Sequence, residues 1–188
     1  MRSAITYRKK SFLLMLLALT GLVSVPTQAV TLNFSAMLNP GTCTFSLDKS
    51  TLVLDSVHLS QLTPSTLQAA QPFTLIVQDC SGTDASLTPV VNVSGDGITR
   101  DSRWLFRSSD SIASGVGVML VKTDVSPSYS DTEIKDGDNI PLAAMGANPS
   151  DQSIRFYAVL TCGSLACTSG SLSAGTLTAR ILFNLAYR

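Results

Sequence analysis

The sequence predicts an all-β protein, an antiparallel sandwich or barrel, from three observations. Short segments alternate apolar and polar residues with a period of two, breaks rich in Gly, Pro and Asp separate them, and no amphipathic helix of about 10 to 15 residues lies between them. A single Trp, only 14% charged residues and abundant Ser, Thr, Gly and Val suit strands and turns better than helices.

The first segment is not expected to join the fold. Arg2, Arg8, Lys9 and Lys10 precede the apolar run Phe12 to Leu19, and Thr27-Gln28-Ala29 places small residues before a cut, so residues 1–29 read as a secretory signal and Val30 as the new N-terminus. The run from Phe12 to Val25 is interrupted by Thr20, Gly21 and Ser24, and falls short of the roughly 20 apolar residues that cross a bilayer. Four of the 13 basic residues leave with the leader while all 13 acidic ones stay, which gives the remaining chain a formal charge of −4. No phosphate-neutralising stripe remains, so nucleic acid is not an expected partner. The remaining 159 residues make one domain, with no room for an additional receptor domain.

Taken in order, Val30, Leu32, Phe34, Ala36 and Leu38 fall on one face of a strand that Asn39-Pro40-Gly41 ends. Cys43 and Phe45 open a short strand, Leu52 and Leu54 suggest another, and residues 56–71 read as an edge or connecting segment. Phe73, Leu75 and Val77 alternate up to Cys80. Pro89 to Val93 forms the next strand, closed by Gly95-Asp96-Gly97, and Trp104 to Phe106 a further one. Val116, Val118 and Leu120 alternate, residues 125–139 are loop-like with an Asp136-Gly137 turn, and Ile154, Phe156, Ala158 and Leu160 alternate again. The clearest strand comes last, with Leu177, Ala179, Ile181, Phe183, Leu185 and Tyr187 on one face.

Four cysteines allow three disulfide pairings, and the expected one joins Cys43 to Cys80 and Cys162 to Cys167. A four-cysteine zinc site is the competing reading, weakened because Cys43 and Cys80 form no close pair. Nothing advertises catalysis or a cofactor. His58 is the sole histidine, no Gly-x-Ser-x-Gly elbow marks a nucleophile, Asp136 and Asp138 lack the rest of a calcium loop, and Gly115-Val116-Gly117 lacks the setting of a phosphate cradle. Asn92-Val93-Ser94 matches a glycosylation acceptor by a pattern too short to carry weight.

The order of an alternating arm, Cys43, the segment Pro72-Phe73-Thr74-Leu75-Ile76-Val77-Gln78-Asp79-Cys80, Ser114-Gly115-Val116-Gly117-Val118, Phe156-Tyr157-Ala158 and a terminal strand with Tyr187 next to last resembles the type 1 family of fimbrial subunits. The likeness covers residues 30–188. It implies an incomplete immunoglobulin-like sandwich lacking its last strand, completed by donor-strand complementation. It further implies a periplasmic pilus chaperone, an outer-membrane usher and neighbouring fimbrial subunits as partners, export through the periplasm, and a place in a fimbrium on the cell surface that contributes to adhesion.

Carried over, residues 30–41 are the donor arm, with Val30, Leu32, Phe34, Ala36 and Leu38 entering successive pockets, and residues 42–188 are the pilin domain. Leu177, Ala179, Ile181, Phe183, Leu185 and Tyr187 line the acceptor groove, and the carboxylate of Arg188 meets basic residues of the chaperone. The family commonly has glycine at the fourth arm position, where this chain has Ala36, and Cys162 with Cys167 lies outside the shared pattern. The resemblance points to a minor or adaptor-like subunit. The alternative is a self-contained carbohydrate-binding adhesive sandwich that uses Trp104 or Tyr129.

Overall fold

Among the residues that the computed structural model describes, 39–165, 167 and 170–188, the strands form two antiparallel sheets. The donor-arm residues Val30, Leu32, Phe34, Ala36 and Leu38 and the leader lie outside the described residues. In chain order the strands are β1 (Thr42–Leu47), β2 (Gln68–Ser81), β3 (Pro89–Ser94), β4 (Gly97–Arg100), β5 (Arg103–Phe106), β6 (Gly117–Lys122), β7 (Glu133–Ile134), β8 (Asn139–Pro141), β9 (Gln152–Thr161) and β10 (Leu182–Tyr187). The larger sheet runs β1-β2-β9-β6-β5-β4 with β7 also on β6, and the smaller runs β10-β3-β8.

The period of two decides which residues meet between the sheets. Phe73, Leu75 and Val77 of β2 face Val91 and Val93 of β3 in one core, together with Phe106, Val118, Leu120, Ile154 and Phe156. Phe73 lies opposite Phe156 across the β2–β9 ladder, their rings stacked with centroids 5.5 Å apart. The two shifts of register in β2 fall beside Asp79 and Ala69, both held at a φ of 52°.

Four features differ from the sequence expectations. Leu52 and Leu54 sit on an extended segment that joins no ladder, although both pack against the core. Strand β6 is buried on both faces: Val118 and Leu120 enter the main core, while Met119 and Val121 pack with Leu105, Leu67 and Ile98 on the outer side. The loop-like stretch 125–139 carries β7 and the start of β8, both too short to show a period. Strand β4 was not expected. It pairs with β5 across a two-residue turn whose Asp101 and Ser102 have φ of 50° and 65°.

Two disulfides and one ion-pair network fix the frame. Cys43–Cys80 ties β1 to β2 across 37 residues, and Cys162–Cys167 closes a short loop after β9. No described cysteine is left free for zinc, so the four-cysteine metal reading falls. Glu133 is 5% exposed and accepts a 2.7 Å bond from Arg103 Nη1, with Lys135 Nζ at 3.4 Å from its other oxygen. Burial pushes the Glu133 carboxyl up, but hydrogen bonds from its own N–H, from Arg103 and from the Trp104 N–H outweigh that and hold it below its ordinary value.

Candidate functional site: an open groove between the two sheets

Among the described residues the sandwich is not closed along one side. Where β1 and β10 should be bridged, an apolar groove of about 910 Å³ opens onto the core. Its floor is made by side chains of the larger sheet, including Phe73, Val118, Ala158 and Leu160. One rim is the chain from Leu47 to Leu62, which joins no ladder beyond Leu47 and ends in a 3-10 turn at Leu59–Gln61, and the other runs from Ser173 to Phe183. At the end marked by Leu47 and Phe183 the rims converge, because β1 and β10 approach one another toward Cys43 and Tyr187. Tyr187 Oη donates to Gly82 O at 3.3 Å there, and a Cβ on Gly41 would collide with both Tyr187 Oη and Gly82 O.

Both rims keep their inward-facing apolar side chains half-buried. On one side these are Leu47, Leu52 and Leu54, and on the other Leu177, Ala179, Ile181 and Phe183, all packed on the core yet still reached by solvent, while Phe45, Leu185 and Tyr187 lie beyond the converging end and do not line the groove. Phe183 lies with ring centroids 6.1 Å from Phe73 and 5.4 Å from Phe156, so three aromatic rings meet at the base of the groove. The expected alternation shows in the exposure from Ala179 to Leu185, whereas Thr178 and Ala186 are half-buried like their neighbours, and the ladder itself spans only Leu182–Tyr187.

Backbone polarity completes the description. Thr88 N–H donates to Arg188 O at 2.7 Å and Arg188 N–H donates to Thr88 O at 3.0 Å, a reciprocal pair that fixes the parity of the β10–β3 ladder. Leu182, Asn184 and Ala186 therefore exchange bonds with Ser94, Asn92 and Val90, and the N–H and C=O of Phe183, Leu185 and Tyr187 point to the opposite edge, which joins no ladder and reaches the groove at Phe183. The same parity continues upstream, where Thr178 O accepts from Ser108 N–H at 2.8 Å and Thr176 O accepts from Ile112 N–H at 2.8 Å. On the facing rim, no backbone hydrogen bond among the described residues involves residues 50–57. A groove with an apolar floor and unpaired edges is a template for an added β-strand whose alternate side chains are apolar.

Apart from His58, the remaining candidates from the sequence, Asp136, Asp138, Trp104 and Tyr129, fall elsewhere. His58 sits on the groove rim as an exposed residue whose backbone N–H donates to Gln61 Oε1 at 2.8 Å. Asp136 accepts from Gly95 N–H at 3.0 Å and Asp138 from Lys135 N–H at 2.8 Å, so both turn carboxylates are tied to nearby backbone. Among the described residues no group of three or more His, Cys, Asp or Glu is placed to hold a metal ion. Trp104 packs edge-on against Phe106, Tyr129 lies under the Arg103 guanidinium, and the indole nitrogen and the phenol oxygen are both buried, so neither presents a polar handle to a sugar. The sequence reading missed the rim from Leu47 to Leu62 and the contributions of Ala113 and Val116. Leu52-x-Leu54 was the available signal, and it marked an inward face without a ladder.

No protein-family model matches the sequence, and no curated protein matches it. Solved structures do. A chain from the structure of a chaperone-usher pilus is similar over 89% of this chain and 100% of its own, with a TM-score of 0.51 and 16% identity. The P pilus rod subunit PapA gives a TM-score of 0.49 at 13% identity over 84% of this chain and 100% of its own. A tip adhesin from Pseudomonas aeruginosa gives 0.41 at 17% identity over 77% of this chain, which spans 41% of that longer protein. The fold of this chain is therefore an open antiparallel β-sandwich, similar to that of a chain from a chaperone-usher pilus.

Proposed function

We propose that the chain is a non-catalytic structural subunit of a surface fimbria of the type 1, chaperone-usher family, which polymerises by accepting one strand and donating another. The observation that carries this reading is the groove, whose two rims present half-buried apolar side chains and unpaired backbone edges on either side of an apolar floor. Water-exposed apolar area of this kind is costly, and a β-strand supplied by a second molecule removes it while pairing the free N–H and C=O groups. In the periplasm the occupant is a chaperone strand. In the fibre it is the N-terminal arm of the next subunit, delivered at an outer-membrane usher.

The arm of this chain, residues 30–41, is the segment it donates. Val30, Leu32, Phe34 and Leu38 each contribute about 1.5 to 3 kcal/mol if fully buried, before ordering costs, and Ala36 keeps the fourth position small. The finer position is that of a minor or adaptor-like subunit, supported by an apolar stripe that begins at Val30 itself. The carboxylate of Arg188 is the contact to basic chaperone residues.

The test is thermal melting of a chain lacking residues 30–38, with and without a peptide of residues 30–41, repeated with arms from neighbouring genes. A large peptide-dependent rise is expected. A truncated chain that still enters a chaperone-released fibre as a donor would show that the arm is assigned wrongly.

A further inference from the structure

The end of the groove away from Tyr187 is built differently from the rest. A second apolar cluster lies there, and six of its members, Val57, Leu62, Ala113, Val116, Leu160 and Leu177, line the groove. Its remaining members, Cys162, Cys167 and Leu172, stand behind them and do not reach the groove surface. Cys162 is fully buried, with 0% exposure. The second disulfide therefore backs the pocket through Cys162, although the loop that it closes reaches the surface at exposed Leu165.

The loop carrying this disulfide is held from two sides. Asp101 Oδ2, on the β4–β5 turn, accepts from Ser164 N–H and Leu165 N–H at 2.7 Å each, and Arg100 Nε donates to Cys162 O at 2.7 Å. On the other flank Ser65 N–H donates to Gly163 O at 2.9 Å and Thr161 Oγ1 to Thr66 O at 2.9 Å. Gly163 has a φ of +92°, and a Cβ there would strike Asp101 Oδ2, so the close approach requires glycine. Thr63 to Thr66 follows directly on Leu62, which ties the backing to the rim.

We propose that the Cys162–Cys167 clamp moulds this terminal pocket and so selects a branched aliphatic side chain at that end of the incoming strand. The inference rests on the strand-acceptor reading above. The six cluster side chains at this end are all aliphatic, so a polar or charged side chain that reaches them is desolvated against apolar walls, while the polar lining residues His58 and Ser173 are exposed on the rims. Without the clamp, Cys162, Cys167 and Leu172 are free to settle away from the six lining residues, and the pocket loses its shape while the aromatic middle of the groove keeps its own.

The test uses the chain from Val30 to Arg188, refolded at low concentration with an excess of labelled peptide spanning residues 30–41. Peptide dissociation is followed for the native peptide and for versions with Val30→Ala, Phe34→Ala or Leu38→Ala. With the disulfide intact, each substitution is expected to speed release about tenfold or more. In C162A/C167A the penalty at one terminal position, Val30 or Leu38, should drop to about threefold or less, while the penalties at Phe34 and at the other terminus stay. Unchanged penalties at every position, or a uniform fall at all of them, would overturn the proposal. Asp101→Ala, which keeps the disulfide but frees the Ser164 and Leu165 amides, should move the same position in the same direction. It decides the matter alone if the double variant does not fold, and an unmoved position then counts against the clamp. Failure of the native peptide to bind the intact chain would instead sink the strand-acceptor reading, and this inference with it.

Discussion

Strands β9 and β10 carry the same alternation of apolar and polar residues and meet opposite fates. Ile154, Phe156 and Ala158 of β9 are 6%, 0% and 7% exposed, whereas Phe183 and Leu185 of β10 face the same core and stay half-buried. The difference is not in the side chains. Strand β9 has a hydrogen-bonded neighbour on each edge, β2 and β6, while β10 has β3 on one edge and the groove on the other. Alternation specifies which face of a strand turns inward, and the neighbours on its edges decide how completely that face is covered.

The comparison can be broken most forcefully by giving β10 its missing neighbour. Appending residues 30–41 after Arg188 through a flexible linker should raise the melting temperature by about 20 °C, since burying four apolar side chains outweighs the short loop closure. No rise on calorimetry would show that the groove does not accept this strand. A pair of truncations sharpens it further. Phe156→Ala should cost about 4 kcal/mol in the free chain and Phe183→Ala about 1 to 2 kcal/mol, the second value growing toward the first when a donor peptide is bound. Equal costs in denaturant titrations of the free chain would contradict the half-built state of β10.

Removing Cys43–Cys80 should cost about 4 kcal/mol and removing Cys162–Cys167 about 2 kcal/mol by the loop-entropy estimate. The first loss is expected to unsettle the whole domain and the second mainly the terminal pocket, a contrast that proteolysis can map. Glu133→Gln should cost about 2 kcal/mol at neutral pH, because Arg103 loses a charged partner in a buried site. The Glu133 carboxyl sits below its ordinary value of 4.5 in the folded chain, so its stabilisation is fully present above that pH and is lost as pH falls through the folded value. Native and variant stabilities should accordingly converge in acid. The exposed Asp110–Arg180 pair is at the small end: its 2.7 Å contact lies in solvent, and Asp110→Asn should leave the melting temperature unchanged within error.

Much of this was legible in the residues. The inward faces of β2, β3, β9 and the terminal strand follow from Phe73-x-Leu75-x-Val77, Val91-x-Val93, Ile154-x-Phe156-x-Ala158 and Leu177 through Tyr187, because a period of two survives whether or not the strand is fully paired. The β4–β5 hairpin was not legible, since its turn uses Asp101-Ser102 rather than an Asn-Gly or Asp-Gly pair, and its positive φ values leave no mark in composition. Double burial of β6 was hidden for another reason. Met119 and Val121 are covered by Leu67 and Ile98, distant in sequence, and only the tertiary fold brings that cover. The Leu52–Leu54 segment looked like a strand because it is one rim of the groove, extended and inward-facing but without a partner.

Amide hydrogen exchange along β10 tests the open groove most directly. In a monomeric chain lacking residues 30–38, the amides of Phe183, Leu185 and Tyr187 should exchange about a hundredfold faster than those of Leu182, Asn184 and Ala186, and should become protected when the peptide of residues 30–41 is added. Equal, strong protection of all six amides in the free monomer would mean that the edge is already paired and that no place for a second molecule's strand exists.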